Sequence, residues 1–75
     1  MSWVIVAGAM TIGQMVTLSP KGQEKHGALP EGTTSQVRLL HQPPIDGYDC
    51  VVRWRFADKT IRDIDHAFDE LETTQ

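Results

Sequence analysis

Asp49-Cys50-Val51-Val52-Arg53-Trp54-Arg55-Phe56 is the stretch on which the fold turns. Successive side chains of a strand point to opposite faces. As a strand, this segment puts Cys50, Val52, Trp54 and Phe56 on one side and Val51, Arg53 and Arg55 on the other. The first face is the expected heart of the core, and the guanidiniums look toward water. Ala57-Asp58-Lys59 then reads as a tight hairpin turn into a partner at Thr60 to Ile64.

Beyond the turn, two readings compete. Ile61, Ile64, Phe68 and Leu71 are spaced three, four and three, an amphipathic helix pattern. Asp58 or Thr60 is placed to cap it, and Thr60 with Asp63 loosely resembles a capping box. Periodicity alone slightly favours a helix at about 60–73. The strong strand and turn just before it favour a second strand instead.

Toward the N-terminus, Ser35 to His41 alternates as a half-buried strand, with Val37 and Leu39 on one face and Gln36, Arg38 and Leu40 on the other. Gln42-Pro43-Pro44-Ile45-Asp46-Gly47 is expected to end it, because proline lacks a ladder donor. Lys21 to Thr34 holds Gly22, Gly27, Pro30 and Gly32 without hydrophobic periodicity, and reads as a long functional or mobile loop. Leu29 is placed to pin its middle to the core. Ser19-Pro20-Lys21-Gly22 reads as a turn. Thr11 to Leu18 reads as a strand with Ile12, Val16 and Leu18 as core residues and a bend at Gly13-Gln14. Trp3 to Val6 is an apolar run without polar alternation. Residues 1–9 are taken as an N-terminal extension or edge strand, and 10–75 as a single domain. By adding a strand to a second copy, Trp3, Val4, Ile5 and Val6 suit a homodimer.

The segment Val51 to Ile64 with Phe68-Asp69-Glu70-Leu71-Glu72 resembles the closing half of small SH3-like barrels of the Tudor and KOW type. In these a hydrophobic strand makes a hairpin, and a short 3₁₀ turn leads to a last strand near a Leu-Glu pair. Ile12-Gly13-Gln14-Met15-Val16-Thr17-Leu18 resembles their opening strand. Lys59 stands where the family turn usually has glycine, and Gln14 where it usually has aspartate. The resemblance implies a mostly β chain, a small SH3-like five-stranded barrel. The alternative is an α+β antiparallel sheet with the C-terminal amphipathic helix. Such barrels are binding platforms for peptides, nucleic acids and large enzymes, so the fold does not give the function. One enzymatic branch, the plasmid-encoded trimethoprim-resistant dihydrofolate reductases, uses a Val-Gln-Ile-Tyr stretch that this chain lacks.

The chain has 75 residues, enough for one modest core. Its one cysteine cannot form an internal disulfide, which suits a reducing compartment. A net charge of −3 weighs against sequence-independent nucleic-acid binding, which depends on neutralising phosphates. The apolar start lacks a basic n-region and is too short to span a bilayer, so a cytoplasmic protein without a membrane role is expected.

Chemistry-bearing residues are few. Cys50 is expected to be a small core residue rather than a nucleophile. His26, His41 and His66 lack close-spaced partners of the zinc type, and His66 is expected to pair locally with the acids around it. Asp63, Asp65, Asp69 and Glu70 read as a solvated acidic edge. No metal or cofactor is called for. Arg38, Arg53 and Arg55 can share one outward face, with Tyr48 and His41 at the nearby loop ends. Trp54 joins them as a candidate although alternation points it inward. The expectation is a non-enzymatic binding module. It docks a protein partner on this arginine and aromatic face and on the 21–34 loop, with an accessory nucleic-acid-binding barrel as the alternative.

Overall fold

The computed structural model describes residues 10–74. The expectations for Trp3, Val4, Ile5 and Val6 lie outside these residues. The described elements are strand β1 (Met15–Leu18), helix α1 (Pro20–His26), β2 (Thr34–Ile45), β3 (Tyr48–Arg55), β4 (Ile61–His66), a 3₁₀ turn (Phe68–Glu70) and β5 (Leu71–Thr73). The protein is mostly β. Its five strands form one antiparallel sheet in the order β4-β3-β2-β1-β5. The first and last strands are thus neighbours, with Val16 opposite Thr73 and Leu18 opposite Leu71. The arrangement is barrel-like but not closed: among the described strands β4 and β5 are unpaired edges, joined only through the 3₁₀ turn.

β3 behaves as its alternation requires. Cys50, Val52 and Trp54 are buried, and Phe56 packs against them. Met10, Val16, Leu18, Val37 and Leu71 complete the core, with Leu29, Leu40, Ile64 and Phe68 at its margin. Each fully buried side chain of the valine or leucine size contributes about 1.5–3 kcal/mol over an exposed one.

The C-terminal helix is not formed. Residues 61–66 pair with β3 instead, from Arg55 opposite Ile61 to Cys50 opposite His66. Helical spacing arises here from separate elements: Ile64 comes from β4, Phe68 from the 3₁₀ turn and Leu71 from β5, while Ile61 is exposed. Pairing satisfies the donors and acceptors on the outer edge of β3, which a helix would leave open. Lys59 takes the positive-φ position of the hairpin turn at +73°, where glycine is ordinarily preferred. The turn is closed by Lys59 N–H to the Phe56 carbonyl at 2.8 Å, and Asp58 accepts from the Thr60 N–H at 3.0 Å.

Three other expectations are corrected. Ile12 is 62% exposed, because Gly13 at φ +92° turns the chain before β1 begins at Met15. β2 does not stop at His41 but runs to Ile45. Its prolines fall in the 41–44 stretch, which has no register partner on β3, so their missing N–H groups cost no ladder bond. Arg38 is an extra residue between the Val37–Val52 and Leu39–Val51 pairs. That bulge flips the alternation, leaving Leu39 50% exposed and turning Leu40 toward the core.

The fifth correction is the loop. Its first part is α1. Ser19 caps the helix, its Oγ accepting from the Gly22 N–H at 3.1 Å, and Pro20 occupies the first turn. Gly27 at φ +85° ends it, its N–H bonded to the Gln23 carbonyl at 2.7 Å. Only 27–33 remains irregular.

Candidate functional site

Helix α1 has no apolar stripe to hold it down. It is docked on the 3₁₀ turn by polar groups. Ser19 donates its backbone N–H to the Glu70 carbonyl at 2.8 Å and its hydroxyl to the Asp69 carbonyl at 2.6 Å. Gly22 lies so close to the Glu70 carbonyl oxygen that a Cβ there would overlap it. This docking brings Lys25 and His26 onto the Glu70 side chain.

The result is a buried cluster assembled from α1, β3, β4 and the 3₁₀ turn. His66 is 1% exposed and Glu70 3%. Trp54 Nε1–H can only donate, so His66 Nε2, 3.0 Å away, must be the unprotonated acceptor. The imidazole proton therefore sits on Nδ1, which donates to Glu70 Oε1 at 2.8 Å. His26 Nε2 reaches the same oxygen at 2.9 Å, and Lys25 Nζ reaches Oε2 at 3.1 Å. Burial raises the affinity of Glu70 for a proton. The hydrogen bonds from His66, His26 and Lys25 outweigh that and hold its carboxyl down at about 2. Burial lowers the pKa of His66 below the ordinary 6.5 despite the neighbouring carboxylate, consistent with a neutral ring.

His26, His66 and Glu70 offer ligand atoms within 4.8 Å of one another. For His66 to bind a metal through Nδ1, its proton would have to move to Nε2, where the Trp54 N–H already points. His26 and the Glu70 carboxylate can hold a cation, while His66 joins only by breaking the tryptophan bond. The cluster is chemically suited to bracing the fold. Cys50 is equally unreactive: burial pushes its thiol up to about 11, and its Sγ faces the His66 carbonyl at 3.6 Å.

In front of the cluster the sheet is not covered. A cavity of about 280 Å³ opens between residues 27–30 and the inner face of β3 and β4. Its walls are largely apolar, from Leu18, Leu29, Trp54, Phe56 and Ile64. A wider, shallower groove of about 700 Å³ continues over the β3–β4 hairpin past Glu31, Asp58 and Ile61. Pro30, Phe56 and Arg62 line both, so the two form one surface.

The residues singled out from sequence fall in different places. Arg53 is on the outward face but forms a two-pronged pair with Asp63, Nε–Oδ1 at 2.9 Å and Nη2–Oδ2 at 3.2 Å. Arg38 and Arg55 are exposed on the same side of the sheet, Arg38 at the bulge and Arg55 opposite Ile61. Tyr48 lies on the α1 side, where Lys25 Nζ is 5.0 Å from its ring centroid, so it does not join the arginines. Trp54 faces inward as alternation requires, with its ring in the cavity wall. His41 pairs with Asp65 at 2.9 Å. His66 does pair locally, with Glu70 four residues on, but in the interior rather than at a solvated edge. Arg62 was not among the residues singled out from sequence. Its strand position opposite Trp54 is what brings it to the cavity. Comparison with family models, curated proteins and solved structures returned no match, so function must be read from the chain's own geometry.

Proposed function

We propose that this chain is a non-enzymatic binding module that holds an extended segment of a protein partner in the groove between residues 27–33 and the β3–β4 hairpin. The observation that carries this reading is the apolar cavity walled by Trp54 and Phe56 and continuous with an open groove. Concave, mostly apolar surfaces with a few polar groups at their margins are the usual form of binding sites. The groups that could do proton or nucleophile chemistry are otherwise engaged. His66 and Glu70 satisfy each other, and the Cys50 thiol is far from ionising at neutral pH.

The groove keeps part of the 21–34 segment expected from sequence and exchanges Arg53 for Arg62. The outward arginine face supports docking less well, because Asp63 satisfies Arg53 and no aromatic side chain joins Arg38 and Arg55.

Selection from a random peptide library, followed by backbone amide shift mapping, tests the proposal. Shifts are expected to cluster at 27–33, 54–57 and 60–64. Shifts confined to Gln36, Arg38, Arg53 and Arg55 would relocate docking to the outward face. Failure to select any saturable binder would defeat the reading.

A further inference from the structure

We infer that the cavity takes the C-terminal residue of its peptide partner, with an apolar side chain inside and the free carboxylate on Arg62. This inference rests on the binding-groove reading and names the ligand for it. A space of about 280 Å³ is at the lower end for a small-molecule site and suits one large apolar side chain. The charged and imidazole groups lining it are Arg62, His26 and His66, and no carboxylate lines it. The three are not equivalent. His66 is neutral with both nitrogens occupied, and His26 has one nitrogen on Glu70. Arg62 makes no ion pair or side-chain hydrogen bond among the described residues. It is the cation at the junction of cavity and groove.

A guanidinium in that position matches a carboxylate in a two-pronged geometry, and part-shielding by apolar walls strengthens the pair. The backbone of an internal stretch of peptide would bring only neutral amides there. The last residue of a chain carries an apolar side chain and a carboxylate on the same Cα, which fits one cavity beside one arginine. The rest of the peptide would leave along the wider groove. Glu31 and Asp58 line it, so a basic residue upstream is favoured.

The probes are acetyl-Gly-Lys-Phe with a free carboxylate and the same peptide as its C-terminal amide, titrated into the full chain by amide shift mapping. The acid is expected to move the resonances of residues 27–30, 54–56 and 62–64 saturably. The amide should bind about tenfold more weakly, the scale of one part-shielded charge contact. Arg62→Met should reduce acid binding to the amide's level and leave amide binding unchanged. Arg62 is exposed, so the variant should fold, and its urea midpoint should match that of the parent. Equal binding of acid and amide, untouched by Arg62→Met, would overturn the carboxylate assignment while leaving the groove intact. No groove shift with either peptide would also overturn it, and library-selected peptides would then decide whether the groove itself binds.

Discussion

Strands β3 and β4 carry a polar pair on each of their faces, and the two pairs sit in opposite surroundings. Inward, Trp54 donates to His66, which donates to a buried carboxylate at Glu70. Outward, Arg53 grips Asp63 in water. The bonds are of similar length, so geometry alone would rank them equal. Burial separates them. Water re-solvates either outward partner when the other is removed, whereas a buried partner left alone keeps its full desolvation penalty.

The largest expected effect follows from removing the inward carboxylate. Glu70→Ala leaves the His66 N–H without an acceptor and frees Lys25 and His26, which loosens the end of α1 while the Ser19 bonds to the Asp69 and Glu70 carbonyls remain. A loss of about 3 kcal/mol in urea-unfolding stability is expected, a large fraction of the total for a domain this small. A loss as small as that of an exposed substitution would show that the cluster is not held in the interior. Glu70→Gln should cost less, because its amide oxygen can still accept from the His66 N–H while Trp54 keeps its own acceptor.

Acid titration sharpens the same contrast without mutation. Glu70 is held at about 2 in the fold against an ordinary 4.5, so its contribution is complete above pH 4.5 and lost as pH falls toward 2. His66 is also depressed in the fold, so the unfolded chain takes up its proton first, below about pH 6.5. Both groups drain stability in the same direction. The urea midpoint should be level near neutrality, decline below about pH 6.5 and fall more steeply below 4.5. A flat profile from neutrality to pH 4.5 would show that His66 is not held neutral.

Gly22→Ala tests how closely α1 sits on the 3₁₀ turn. Alanine favours an isolated helix by about 1 kcal/mol over glycine. Here the added Cβ would meet the Glu70 carbonyl, a backbone atom that cannot swing aside. A net loss of about 2 kcal/mol is expected from overpacking, measured by thermal or urea unfolding. A gain in stability would mean that α1 is loosely docked.

What could be read from sequence tracks this contrast. The β3 ladder was legible because its alternation is unbroken, and Lys59 did not prevent the hairpin that the resemblance implied. The outward flip of Leu39 was not legible, since the bulge at Arg38 depends on how β2 meets β3. Helix α1 left only end signals, Ser19, Pro20 and Gly27, because polar docking rather than an apolar stripe holds it. The cluster escaped notice because His26 and Glu70 are far apart along the chain and meet only when the 3₁₀ turn and α1 dock. The groove inherits both kinds of information: its Trp54 and Phe56 wall follows from alternation, while Arg62 enters it only once β4 is known to be a strand.

Lys59→Gly should act in the opposite sense. The turn places a lysine at φ +73°, where a Cβ crowds the neighbouring carbonyl. Glycine relieves that but adds freedom to the unfolded chain, so a gain of about 1 kcal/mol or less is expected. No gain would imply that the turn reaches this conformation without strain.

The smallest effect belongs to the outward pair. Arg53→Ala should barely move the urea midpoint at moderate salt, because Asp63 is left in water rather than stranded. The hydrogen bond and charge of Arg53 hold the Asp63 pKa below its ordinary value, so what the pair contributes is present at neutral pH and lost as acid protonates the carboxylate. Added salt should erase the difference between Arg53→Ala and the parent, since exposed charges are screened. The same salt should leave the cost of Glu70→Ala nearly unchanged, because ions cannot enter the interior. If Arg53→Ala proved as costly as Glu70→Ala, or equally insensitive to salt, burial would not be what separates the two faces of these strands.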